Sequence, residues 1–183
     1  MRCDLTVGRV VVRRLALAQL LMVALLLVAM ECVVTTPGRA VVAALLGAAA
    51  CAVSVGAHEA SHALVAWAHR VPVLGVEFRS FFDAGVRRRP TDCPRISLRI
   101  CLAGPFANAV LLAACLGALA VGGGADAEVA LCAVAMTNLV AFASLISRSP
   151  NSDGRRALYA WRCRPSVSTK VSWSTGKKGS PVR

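Results

Sequence analysis

The sequence predicts an all-α polytopic membrane protein, with about four transmembrane helices and a short β-hairpin-like segment between the second and third. Three observations carry this reading. Of the 183 residues, 57% are hydrophobic and the mean hydropathy is +0.64, whereas an ordinary soluble domain is about 45–50% apolar. The excess is gathered into long blocks of Leu, Val and Ala. The 21 Lys and Arg residues fall between those blocks, where charges set membrane topology.

Residues 1–14 form a polar, basic lead carrying Arg2, Arg9, Arg13 and Arg14. Leu15 to about Val34 is the first span, long enough for ~30 Å of hydrocarbon at 1.5 Å per residue. No small-residue cleavage site follows Met30-Glu31-Cys32, which favours an uncleaved anchor over a signal peptide. Residues 1–36 are therefore one unit. Thr35-Thr36-Pro37-Gly38 is a tight break, and a second apolar segment runs from Arg39 to about Arg70, where Val71-Pro72 stops it. Its length, roughly 45 Å, exceeds what the hydrocarbon needs. Ala, Gly and Ser fill much of its first half and allow close helix packing.

Residues 71–100 change character. Val71 to Phe78 and Ile96 to Ile100 are β-prone, with Phe81-Phe82, Gly85 and the cluster Arg87-Arg88-Arg89-Pro90 between them. Two short strands around a basic loop are expected, either dipping into the membrane interface or lying on the surface. The third span runs from Cys101 to about Val121, with Pro105 suited to its first turn and Asn108 polar at membrane depth. An acidic connector, Gly122 to Glu128, leads to a fourth span from about Val129 to Ile146 carrying Asn138. Ser147 to Gly154 breaks it, and a short amphipathic helix is expected from Arg155 to about Arg162. The core unit is thus residues 37–163, and residues 164–183 read as a disordered basic tail.

Charge orients the spans. Four Lys and Arg precede the first, seven lie in residues 70–100 and nine in residues 148–183, while the two opposite loops hold Arg39 alone. That alternation puts both termini in the cytoplasm. A formal charge of +12 could suggest nucleic acid, but the positions of the charges and the lack of any recognition motif argue for no nucleic-acid partner. The eight Cys form no C-x-x-C pair and read as packing residues.

The chemistry sits in His58-Glu59-Ala60-Ser61-His62. Imidazoles four residues apart on a helix are separated by about 40° in azimuth and about 6 Å in rise, so both can reach one ion. Glu59 then stands beside the ion's open position. The same groups could instead be polar glue between helices, but three ionisable side chains within five membrane positions are hard to keep without a metal. Two imidazoles and a carboxylate suit Zn2+, which lowers the pKa of a bound water for Glu59 to deprotonate. His69 fails as the third ligand because it rises about 10 Å beyond His62. The extended pattern H-E-x-x-H-x-x-G-x-x-H also fails, at Val65 and Ala68. Glu31 and Asp126 fall on the opposite side by the charge count, and Asp83 and Asp92 lie in the basic loop. Asp153 is the strongest remaining carboxylate: it is on the same side, at a break, and followed by Gly154, which permits an unusual turn.

Taken together, His58 to His62 in a membrane helix, Gly104-Pro105-Phe106-Ala107-Asn108 opening another, and Asn138 upstream of Pro150-Asn151-Ser152-Asp153-Gly154 resemble the site-2 protease family of intramembrane zinc metalloproteases. The resemblance covers about residues 40 to 163. It implies that His58, His62 and Asp153 bind zinc, that Glu59 is the catalytic base, and that a β-hairpin-like segment separates the catalytic helix from the next. It also implies an integral protein of the bacterial plasma membrane, with membrane-protein substrates cut within a transmembrane segment, among them anti-sigma factors and signal-peptide remnants. The chain departs from the family pattern in three places. Ala141 stands where Asn-x-x-Pro has its proline, Asn138 precedes Asp153 by fifteen residues, and Ser152-Asp153-Gly154-Arg155 replaces Leu-Asp-Gly-Gly. No PDZ-like or CBS-like segment is seen, as expected of a minimal member. Asn108 and Asn138 could hold substrate or oxyanion, or make interhelical hydrogen bonds. Rival functions are a proteolytically inactive relative acting as chaperone or regulator, and a small metal transporter.

Overall fold

The computed structural model describes residues 5–7, 9–34, 36–80, 83–122, 124–146 and 152–163. Phe81-Phe82, the break at residues 147–151 and the tail from Arg164 lie outside the described residues. The chain runs β1 (Leu5–Val7), β2 (Val10–Val12), α1 (Arg14–Val34), α2 (Pro37–Ala68), β3 (Val73–Ser80), β4 (Asp83–Arg88), α3 (Pro94–Val121), α4 (Ala125–Ala143), a 3-10 turn (Ser144–Ile146) and α5 (Asp153–Arg162).

Helices α1, α2 and α3 are each long and apolar enough to cross a membrane, by length and composition. Helix α4 is apolar over Ala127–Ala143 and shorter, against about 20 residues for a full crossing. The distribution of side chains agrees with a lipid surrounding. Buried positions are largely alanines, including Ala40, Ala44, Ala48 and Ala66, while Leu21, Leu25, Leu46 and Val53 are exposed. Small residues inside and large apolar ones outside reverse the order of a soluble core, because lipid tails accept Leu as readily as a protein interior does.

Helix α2 starts with Pro37 at its first turn, where a missing N–H costs nothing, behind Thr36 in extended conformation. Its small-residue half packs on α1 and α4 through Leu27, Ala44 and Ala48, with Val129 and Ala133 against them. A Cβ on Gly47 would come within 3.2 Å of Leu27 Cδ1 and 3.5 Å of Ala130 Cβ, so the three helices approach as closely as the sequence expectation required.

The expectations for the start of α3 are corrected. Ile96 to Ile100 is the opening of α3, and the second strand of the hairpin is β4. Alternating apolar and polar residues read as period two, but Ile96 and Ile100 are also one helical turn apart. Pro94 starts the helix, and that face packs on Ala66 and Val71. Pro105 accordingly lies inside α3, and Asn108 lies in the middle of that helix. Residues 5–7 and 10–12 of the basic lead form strands, on which the sequence reading made no statement. β1 and β2 form a hairpin, β2 pairs in parallel with β3, and β3 pairs antiparallel with β4, giving a sheet of order β1-β2-β3-β4. The parallel register sets Val10 to Val12 beside Val76 to Phe78, and Arg13 closes the end by binding the Glu77 carboxylate.

Candidate metal centre

Helix α2 supplies the first two groups of the centre. His58 and His62 are one turn apart and their rings meet edge to face, with centroids 4.8 Å apart. Their Nε2 atoms lie 3.1 Å from each other. Helix α5 supplies the third. Asp153 Oδ2 lies 3.1 Å from His58 Nε2 and 3.2 Å from His62 Nε2. The three atoms thus form a nearly equilateral triangle. Ligand atoms held about 2.0–2.2 Å from a tetrahedral ion stand roughly 3.3–3.6 Å apart, close to these edges. No other group of three or more His, Cys, Asp or Glu with ligating geometry occurs among the described residues.

Each ring is held from behind. His62 Nδ1 lies 2.5 Å from the Ile100 carbonyl oxygen, so the ring donates there and leaves Nε2 bare. His58 Nδ1 lies 2.7 Å from the Asn108 side-chain amide. A side-chain amide presents either its NH2 or its oxygen by a flip. With Nε2 given to a metal, Nδ1 carries the proton and the oxygen end of Asn108 accepts it. Backbone carbonyls and amides in this position fix the tautomer and orientation of metal-binding imidazoles.

Helix α3 leaves the room. A Cβ on Gly104 would lie 2.6 Å from His58 Nε2 and closer still to His62 Nε2. Gly104 is therefore the floor of the centre, and any side chain there would fill the space an ion needs. Pro105 follows, removing one backbone donor within the same turn of α3.

Asp153 is placed by two local devices. Ser152 caps α5, its hydroxyl accepting from the Arg155 N–H at 3.3 Å, and a carboxylate in the first turn is favoured by the helix dipole. Gly154 lies against the Leu145 backbone so closely that a Cβ would overlap it. Its role is this close approach of α5 to the 3-10 turn. The expectation of an unusual turn is corrected, since Gly154 is helical and, among the described residues, Gly122 and Gly124 are the glycines with positive φ. Burial opposes ionisation of Asp153, but its two imidazole neighbours, His58 and His62, outweigh it and hold the carboxyl well below the usual range.

Glu59 is buried beside the triangle, with Oε1 3.9 Å from His58 Nε2 and Oε2 without a hydrogen-bond partner. An anionic oxygen left so in an apolar interior is costly unless a cation or a bound water faces it. The centre therefore fits a metal ion on three grounds: converging donors, a cradle emptied by glycine, and an unpartnered carboxylate oxygen alongside.

The remaining sequence candidates separate. His69 caps the end of α2 and is not in the cluster. Glu31 is buried in α1, four residues beyond Leu27, which packs on the far half of α2. Asn138 is wholly buried, accepting from Ser54 Oγ at 2.8 Å and donating to the Val134 carbonyl at 2.8 Å, so it makes the interhelical bond rather than facing the centre. The Ile100 carbonyl escaped sequence reading, and Gly104 was read only as part of the stretch shared with the family pattern, with no role beside the histidines. A glycine inside an apolar helix costs about 1 kcal/mol relative to alanine, and that was the available sign that Gly104 serves packing or function. No family model matches this chain, and no curated protein and no solved structure matches it.

Proposed function

We propose that the chain is an intramembrane zinc metalloprotease, similar to site-2 proteases, hydrolysing peptide bonds in or near transmembrane segments of other membrane proteins. The observation that carries the reading is the triangle of His58 Nε2, His62 Nε2 and Asp153 Oδ2 with the unpartnered Glu59 carboxylate beside it. A structural ion would need no such carboxylate, whereas hydrolysis needs a base at hydrogen-bond reach of a water. Two imidazoles and one carboxylate favour zinc over calcium or magnesium, which prefer oxygen ligands.

His58, His62 and Asp153 hold the ion. When bound, zinc supplies a Lewis acid that polarises a peptide carbonyl and makes a water more acidic. Glu59 accepts the proton of the attacking water and delivers it to the leaving amine nitrogen. Asn108 and the Ile100 carbonyl keep the two imidazoles in the tautomer that leaves Nε2 free. A substrate helix must unwind at the cut, because its peptide groups are otherwise satisfied within the helix. In this reading α4 is a fourth span, both termini are cytoplasmic by the charge count, and the protein sits in a bacterial plasma membrane.

The test measures bound zinc and cleavage of a transmembrane substrate for the wild type, Glu59→Gln and Asp153→Asn. Glu59→Gln is expected to keep its zinc and lose cleavage, and unchanged cleavage would overturn the mechanism. Asp153→Asn is expected to lose zinc, and full zinc content would remove Asp153 from the ligand set.

A further inference from the structure

On the far side of α2 from the metal centre lies a groove of about 780 Å³. Ala60, Ala63, Leu64 and Trp67 form one wall. At 100° per residue their mean direction stands roughly 170° from that of His58 and His62. Val73 and Val76 of β3 line it as well, together with the two cationic side chains Arg9 and Arg70. Ala60 and Ala63 contribute little bulk to this lining, and Leu64 and Trp67 are 61% and 76% exposed.

Each arginine is brought there by the backbone. Arg9 sits in the turn between β1 and β2. Its carbonyl accepts from the Val76 N–H at 2.9 Å, and its guanidinium donates to the Val73 carbonyl at 3.3 Å. A Cβ on Gly75 would lie 2.5 Å from the Arg9 carbonyl oxygen, so glycine is required for this seating. Arg70 has φ 57°, and among the described residues it alone of the non-glycines has a positive φ. The reason is a helix-ending motif, with the Arg70 N–H bonded to the Trp67 carbonyl and the Val71 N–H to the Ala66 carbonyl, both at 2.8 Å. Glycine is the usual residue at that position. Here an arginine occupies a strained backbone conformation, and its positive charge joins that of Arg9. Neither guanidinium has a carboxylate partner among the described residues.

An apolar trough on a bilayer-facing helix, ending in two cations beside a tryptophan, has the chemistry of one amphiphile. A phosphate matches the arginines, an acyl chain matches the Ala60, Ala63 and Leu64 wall, and Trp67 belongs at headgroup level. We infer that this groove binds a single anionic phospholipid, with its phosphodiester between Arg9 and Arg70 and an acyl chain along α2. A lipid seated there braces the half of α2 that carries His58 and His62 against the sheet. Binding does not depend on the proposed proteolysis and can be measured without it.

The test reconstitutes the intact chain in nanodiscs of equal parts phosphatidylcholine and phosphatidylglycerol, then releases it into detergent for native mass spectrometry. One phosphatidylglycerol per chain is expected to remain, in preference to phosphatidylcholine, and excess inorganic phosphate does not displace it. Arg70→Gly is the decisive variant. It should lower retention about fivefold, the worth of one arginine near an anionic headgroup, while the melting temperature holds or rises as the strain is relieved. Arg9→Gln should lower retention by a similar factor, and Ala60→Phe should abolish it by filling the trough with both arginines in place. Equal retention of the two lipids, displacement by phosphate, or wild-type retention in both arginine variants overturns the assignment.

Discussion

Helix α2 carries two buried polar regions one turn apart, and they behave in opposite ways. In the first, Ser54 donates to Asn138, Asn138 donates to the Val134 carbonyl, and Thr137 bonds the Ala133 carbonyl and Cys51. Every group there meets a complementary one, and the region is closed. In the second, His58, His62 and Asp153 aim three acceptor atoms at one point, and Glu59 keeps an oxygen unpartnered. This region has the donors and the room to hold a cation. A polar residue at membrane depth is thus not a functional signal by itself. The signal is a set of acceptors that converge without a donor, since only then must something outside the chain supply the positive charge.

The largest expected effect comes from removing the space in the open region. Gly104→Ala should lose bound zinc altogether, read by metal analysis of the purified protein, because the new methyl group occupies the site between the imidazoles. Helix propensity would favour this substitution by about 1 kcal/mol, so a stable helix that has lost its metal is the informative result. Zinc at the wild-type level in Gly104→Ala would show that the triangle is not the binding site.

Next comes the base. Glu59→Gln should reduce cleavage by about 10²- to 10⁴-fold, the usual worth of a positioned general base, with zinc content unchanged. An intermediate effect belongs to Asn108, which touches His58 from behind. Asn108→Leu should weaken zinc affinity by about 10- to 100-fold, as loss of a supporting hydrogen bond to a ligand imidazole does. Competition with a chelator of known affinity measures it. The smallest effect is expected in the closed region. Asn138→Leu should cost about 0.6–1.7 kcal/mol in unfolding stability, the range for interhelical hydrogen bonds in a bilayer, with zinc affinity untouched. If Asn138→Leu lowered zinc affinity as much as Asn108→Leu, the two regions would be one coupled network and the contrast between them would fail.

Much of the architecture could be read from local pattern. The apolar runs placed α1, α2 and α3 to within a few residues, except at the start of α3, and the β-prone stretch after Pro72 is β3. The histidine pair was legible because helix geometry fixes the spacing of residues four apart. Asp153 was reachable by elimination among few carboxylates. What failed was local pattern with two periods at once: Ile96 to Ile100 satisfies both strand and helix, and packing against Ala66 and Val71 decided for helix. The parallel pairing of β2 with β3 joins residues more than sixty positions apart. Short Val runs in a basic lead carry no sign of such a distant partner.

By itself, the sequence determined that the chain belongs with lipid, that two imidazoles and a carboxylate share one helix turn, and that a second carboxylate follows a break. Periodicity and composition suffice for those statements because they concern neighbours along the chain. Only the tertiary structure decided that Asp153 meets both histidines, that Gly104 clears the floor beneath them, and that Asn108 rather than Asn138 supports the centre. These are contacts between helices, set by how closely small residues let three backbones approach. Spacing within a helix is dictated by the backbone, whereas spacing between helices is dictated by packing.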